Sequence, residues 1–164
     1  MIPGTRSIDG GELAAIARAI AYREALWRPI VRHDPSRRWF MRSYRTPEVE
    51  AWLLTWTETQ AIELHDHGGS AGAMFVVEGE LLEVIADPAV PSRVLSVRRP
   101  HLSLTTFGPM HIHGLTNLGP GPATSIHVYS PPLSQMTYYD REAPDLTPLR
   151  VEGVEAEGDV VVAR

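Results

Sequence analysis

The chain contains no cysteine and no lysine; all fifteen of its basic residues are arginine. Without a thiol there is no disulfide, iron–sulfur cluster, thiolate zinc site or cysteine nucleophile. Without a lysine amine there is no Schiff base, so pyridoxal phosphate and aldolase-type covalent catalysis are excluded. Long apolar runs are also missing, and none approaches the ~18 residues a membrane span needs. The opening residues Met1-Ile2-Pro3-Gly4-Thr5-Arg6 are not expected to form a signal peptide, since no apolar segment follows a basic start. Positive charge is in deficit, with a formal net charge of −5, so neither nucleic acid nor an anionic membrane is expected as a partner. These absences fit a cytoplasmic protein. They leave 164 residues, enough for one domain with a real core.

Within that length the chain changes character once. Residues 9–27 read as one helix, capped by Asp9 or Ser7, with Leu13, Ile16, Ala17, Ile20 and Ala21 at helical spacing. From residue 38 onward, short apolar segments alternate with Gly and Pro turns. Strands are expected over 39–44, 49–57, 63–67, 73–77, 80–85, 93–97, 101–107, 111–116 and 124–129. Residues 87–91 read as a proline-broken loop, 117–122 as a Gly/Pro loop, and 141–164 as an acidic, proline-bearing extension in which Val160-Val161-Val162 adds an edge strand. The whole reads as a single all-β domain over 1–164, with the barrel at 38–140. The sequence leaves the oligomeric state open, and a monomer suffices.

The chemistry concentrates in histidines. His65 and His67, one residue apart, share a face on a strand, because side chains alternate. A neutral imidazole is a good ligand for a borderline transition metal. His113 can join the pair only if the intervening strands fold back, as in a small barrel. The spacing resembles the cupin barrel (a jelly roll), here with an N-terminal helix. Its first motif has two histidines, a glutamate and a glycine; its second has a histidine four residues before an asparagine. Gly79, His113 and Asn117 match, but the glutamate position falls on Ala71 or Gly72. The expected ligand set is thus His65, His67 and His113 with no anionic member, a set that favours an anionic substrate ligand such as a thiolate. His111 is the rival of His113 and a candidate for the pocket rim. Asp66 has the wrong parity for a ligand, and His33 and His101 read as surface residues. Trp52 and Trp56 read as core.

A second constellation follows. Ser125, His127 and Tyr129 alternate with Ile126 and Val128, so the three polar groups face one way. Turned inward, they must satisfy one another or a ligand. Together with His65-Asp66-His67-Gly68 and His113-x3-Asn117, the string Ser125-x-His127-x-Tyr129-Ser130-Pro131-Pro132 resembles cysteine dioxygenase, a thiol dioxygenase of the cupin superfamily, over roughly residues 38–140. The resemblance implies ferrous iron on the three histidines, L-cysteine bound through thiolate and amine, O2 at the remaining position, and cysteine sulfinic acid as product, with both oxygen atoms on sulfur. It implies that Tyr129, held by His127 and Ser125, orients substrate and oxygen. It also implies an arginine on an early strand that grips the substrate carboxylate, matched best by Arg42 with Arg45 as the nearby competitor. Some members crosslink the tyrosine to a cysteine; that position is Gly72 here, so no crosslink can form. Phe40 stands where a tyrosine often sits. Ser130-Pro131 resembles a peptide that is cis in the family. The neighbouring readings are a dioxygenase of another small thiol such as 3-mercaptopropionate, a zinc-dependent hydrolase or isomerase on the same barrel, and a cupin that only binds a small ligand.

Overall fold

In the computed structural model, which describes residues 6–143 and 145–154, the chain opens with a helix and continues almost entirely as antiparallel strands. The helix α1 (Gly10–Ala21) starts at a reciprocal cap. The Asp9 carboxylate accepts from the Glu12 backbone N–H at 2.9 Å, and the Glu12 carboxylate accepts from the Asp9 N–H at 3.3 Å. The single helix expected over 9–27 breaks at Tyr22 and Arg23 and resumes as one turn, α2 (Glu24–Trp27). The break lets the Trp27 indole N–H return to the Ala21 carbonyl at 3.1 Å while its ring is buried. Burying a large ring outweighs the helical bonds lost there.

Among the described residues eleven strands follow: β1 (Phe40–Arg45), β2 (Glu50–Trp56), β3 (Ala61–His65), β4 (Ala71–Glu78), β5 (Leu81–Asp87), β6 (Val90–Arg99), β7 (Leu104–Phe107), β8 (Ile112–Thr116), β9 (Ala123–Ser130), β10 (Gln135–Tyr139) and β11 (Pro148–Gly153). They form a five-stranded sheet, β1-β2-β9-β4-β7, and a six-stranded sheet, β11-β10-β3-β8-β5-β6. Alternation along β2, β4 and β9 divides the first sheet into two faces. One face, with Ala51, Leu53, Phe75, Ile126 and Val128, is covered by Leu13, Ala17 and Ala21 of α1. The other, with Trp52, Trp56, Met74 and Tyr129, meets Leu81 and Leu115 of the second sheet. That inner space holds the polar site.

Three strand expectations change. The strand expected over 63–67 runs from Ala61 to His65, so His65 and His67 do not share a strand face. Residues 87–91 are not an open loop: β5 turns directly into β6, with the Ala89 N–H on the Asp87 carboxylate at 2.9 Å. Pro91 is tolerated because β6 is an edge strand and its ladder is irregular next to Asp87. The segment after Pro131-Pro132 is also strand, since β10 pairs with β3 and β11 pairs with β10. Every residue of β11 is exposed, so it carries no alternating apolar signal. Val160-Val161-Val162 lies outside the described residues. Both Gly119-Pro120 and Ser130-Pro131 are cis. Among the described residues no helix is long and apolar enough to cross a membrane.

Candidate active site

His65 closes β3 and stands directly opposite His113 on β8. Directly paired residues point to the same side, so their rings meet at 4.9 Å between centroids. His67 lies beyond the strand end, in a turn pinned by Asp66. The Asp66 carboxylate accepts from the Gly68 N–H at 3.0 Å, the Thr137 N–H at 3.1 Å and the Tyr139 hydroxyl at 2.7 Å. Gly68 has φ +59°, and a Cβ there would stand 2.6 Å from the Gln135 carbonyl, so the turn demands glycine. His67 is thereby brought 5.0 Å from both other rings.

The three buried imidazoles can offer ligand nitrogens that all lie within 4.8 Å of one another. Their hydrogen bonds state which nitrogens. His65 Nδ1 lies 2.8 Å from the Glu63 carbonyl, an acceptor only, so Nδ1 carries the proton and Nε2 the lone pair. His113 Nδ1 lies 2.6 Å from the Glu83 carboxylate, which leaves its buried Nε2 without a partner. Both nitrogens of His67 are buried and unpartnered. Burial first, and then the neighbouring histidines, holds His65 and His67 well below the usual histidine range; burial also lowers His113 against the opposing pull of Glu83. Three buried imidazoles that converge within ligand distance, two of them with unpartnered nitrogens, fit a divalent transition metal.

Against this triad stands the polar row of β9. Trp56 Nε1 donates to Ser125 Oγ at 3.0 Å, Ser125 Oγ lies 2.9 Å from His127 Nε2, and His127 Nδ1 lies 3.2 Å from the Tyr129 hydroxyl. Indole is a donor only, while the serine oxygen can accept twice, so the tautomer of His127 sets the direction of the chain; with the proton on Nδ1, the imidazole N–H goes to the phenol oxygen and the phenol proton is left for a ligand. Burial lowers His127 to about 3 and pushes the Tyr129 phenol far up, which keeps both neutral. Trp56 is core, as expected, and also the first member of this chain. The Tyr129 ring is 5.2 Å from the His67 ring.

The arginines separate clearly. Arg42 Nε and Arg45 Nη1 each lie 3.1 Å from Glu50 Oε2, a fully buried carboxylate whose other oxygen accepts from the Trp52 indole N–H and the Leu133 N–H, both at 2.9 Å. The Arg42 guanidinium rests over Trp52 at 4.8 Å. Arg38, which sequence reasoning passed over, is different. It lies over the Trp56 and Phe40 rings at 5.0 and 5.8 Å and has no carboxylate partner among the described residues. Its positive charge acts on Tyr129, Tyr138, His65 and His127. Tyr138, paired with His65 across β10 and β3 and 5.8 Å from its ring, is a second phenol in the same corner.

Other expectations resolve locally. His111 borders a cleft of about 580 Å³ together with Arg93, Leu95 and Met110, and lies 3.1 Å from Glu83. His101 is exposed, but His33 is half-buried and bonded to Thr124 Oγ1 at 3.1 Å, which corrects its reading as a surface residue. Asn117 does not reach the triad. Its amide donates to the Trp56 and Gly121 carbonyls at 3.0 and 2.9 Å and ties down the loop after β8. At Gly72 a Cβ would stand 2.4 Å from Phe107, whose ring fills the space beside His67. Glu83 was missed as well, although its strand parity matches Leu81, and a carboxylate in phase with a core leucine is a signal worth reading.

Solved structures share the architecture at low identity. The TT1209 protein of Thermus thermophilus superposes with a TM-score of 0.55 at 18% identity, over 63% of this chain and 92% of that one. A cupin superfamily protein from Desulfitobacterium hafniense gives 0.53 at 10% identity, over 64% and 87%. An oxalate oxidase crystallised with glycolate gives 0.51 at 15%, over 58% and 52%. Fold and site thus define a cupin whose barrel carries three converging histidines able to hold a metal ion. At the finer level, residues 4–142 match the profile of cysteine dioxygenase type I, and the chain belongs to that family. Membership makes it a dioxygenase-type oxidoreductase that acts on a small thiol and O2.

Proposed function

We propose that this protein is an Fe(II)-dependent cysteine dioxygenase that converts L-cysteine and O2 to cysteine sulfinic acid, acting as a single cupin domain in the cytoplasm. The observation that carries the reading is a cluster of three buried imidazoles with ligand atoms within 4.8 Å of one another, those of His67 and His113 carrying unpartnered nitrogens, beside an arginine that lacks a carboxylate partner among the described residues. His65, His67 and His113 would hold the metal through Nε2 of His65 and His113 and one ring nitrogen of His67. Bound there, ferrous iron supplies a seat for the substrate thiolate and the redox chemistry of O2.

The chain's own groups do the rest. The carboxylate-anchoring role assigned above to Arg42 moves in this proposal to Arg38. Arg42 and Arg45 neutralise Glu50, whereas Arg38 presents an unspent fork to an anion, the geometry that suits a carboxylate. With the His127 proton on Nδ1, Tyr129 accepts from that N–H and keeps its own proton for substrate or oxygen, while Ser125, held by Trp56, lies against His127 Nε2. Tyr138 adds a phenol that burial keeps protonated, next to His65. Phe107, Trp52 and Leu133 exclude water from the inner face.

Oxygen uptake by iron-loaded protein with a panel of small thiols tests this. L-cysteine is expected to have the highest kcat/KM, with sulfinic acid formed one-for-one with O2 consumed. A higher kcat/KM for 3-mercaptopropionate would reassign the substrate. No uptake with any thiol, together with stoichiometric zinc in protein purified without added metal, would sink the dioxygenase reading.

A further inference from the structure

The three ligands carry no charge, yet a carboxylate stands directly behind one of them. Glu83 on β5 is buried, and its Oε1 lies 2.6 Å from His113 Nδ1 and 3.1 Å from His111 Nε2. Its other oxygen accepts from Arg99 Nε at 2.7 Å. Burying a carboxylate is costly unless every lone pair is used, and here three donors use them. The arrangement is polarised. The oxygen that faces inward serves His113, while Arg99 holds the outer oxygen from a side chain that is 21% exposed. Water therefore screens the guanidinium more than it screens the carboxylate. His111 is packed on one face by the Phe107 ring, which stacks on it at 4.8 Å and on His67 at 4.8 Å.

We propose that Glu83 is a positioning residue that supplies the metal centre, through His113, with the negative charge its ligand set lacks. A carboxylate on the distal N–H of a ligating histidine fixes the ring's rotation and makes the metal-facing nitrogen a stronger donor. His111 belongs to this arrangement as a clamp on Glu83. Ligand atoms of Glu83, His111 and His113 also lie within 4.8 Å of one another, but a metal there would take the proton from His113 Nδ1 and share the Glu83 carboxylate with the Arg99 cation. The inference rests on the three-histidine metal centre and is independent of which thiol is oxidised.

The experiment measures Co(II) binding to the full-length apoprotein by competition with a chromophoric chelator, together with the visible spectrum of the Co(II) form and the midpoint potential of the iron form. Wild type is expected to bind one ion. Glu83→Gln is expected to bind that one ion about 10–100-fold more weakly, with shifted Co(II) bands and a raised potential. Glu83→Asp should restore part of the affinity. Arg99→Gln, which keeps the carboxylate and removes its counter-ion, should lower the potential, and this variant carries the test if Glu83→Gln does not fold. Wild-type affinity, spectrum and potential in Glu83→Gln, or an unchanged potential in Arg99→Gln, would overturn the proposal. So would two ions per wild-type chain with one lost in His111→Gln, since the metal would then occupy the Glu83 group itself. These readouts need no thiol, so the proposal can fail while the dioxygenase reading stands, and the reverse.

Discussion

A single side chain in this barrel is defined by what consumes its polar atoms. Arg42 and Arg38 are four residues apart, yet one is on Glu50 and the other over Trp56. Replacing Arg38 by Gln should therefore raise KM for L-cysteine about 10–100-fold, the worth of a charge-assisted hydrogen bond, and leave cysteamine, which has no carboxylate, nearly unchanged. Arg42→Gln should instead lower thermal stability, because it strips a buried carboxylate of one cation. Steady-state oxygen uptake and a melting curve on each variant check the pair; equal KM effects on both thiols would remove Arg38 from the carboxylate. Gly72 makes a second case. A methyl group there would stand 2.4 Å from Phe107 and 2.9 Å from the Val128 carbonyl, so Gly72→Ala should cost about 1–3 kcal/mol by overpacking, read from chemical denaturation.

At the scale of elements, the site depends on a strand end and a turn more than on any regular stretch. His65 and His113 are placed by sheet register, which a one-residue slip would destroy. His67 is placed by the Asp66 turn, which ties β3 to β10 through Thr137 and Tyr139. Asp66→Ala removes the acceptor of three hydrogen bonds. It should weaken Co(II) binding measurably while leaving the far-UV dichroism unchanged, because the strands themselves remain paired. Undiminished Co(II) affinity would show that the turn holds His67 without Asp66. The strand β10 thus acts on the site, although it is absent from the expected strand pattern.

For the whole molecule, burying several neutral histidines links folding to pH. His127 is lowered from 6.5 to about 3, and His65, His67 and His113 are also lowered. A histidine with a depressed folded-state pKa binds its proton mainly in the unfolded chain. The apoprotein should be at full stability above pH 6.5 and lose it as pH falls from 6.5 toward 3, each such group costing up to about 1.4 kcal/mol per pH unit. Glu83, held low by its hydrogen bonds to His111 and His113 against its own burial, adds to the loss below its ordinary pKa of 4.5. Urea unfolding of apoprotein at pH 7.5, 6 and 5 should show the decline, and a bound metal should shift it to lower pH by competing with protons for the same nitrogens. A flat profile would mean that the imidazoles are hydrated in solution.

Much of this architecture was legible in the chain itself. Alternation sorted Ser125, His127 and Tyr129 from Ile126 and Val128, because parity is a local consequence of backbone geometry; the spacing of His65, His67 and His113 proposed the metal and the barrel together, although a turn and not strand parity brings His67 to the other two. The helix start at Asp9 was likewise written in its cap. Tertiary structure decided what parity leaves open: which of several inward arginines keeps its charge unspent, which carboxylate backs His113, and whether an exposed segment such as β11 pairs at all. Those outcomes depend on distances between residues far apart in sequence. A buried charge settles on whichever partner the folded barrel brings within hydrogen-bond reach, and no local pattern encodes that partner.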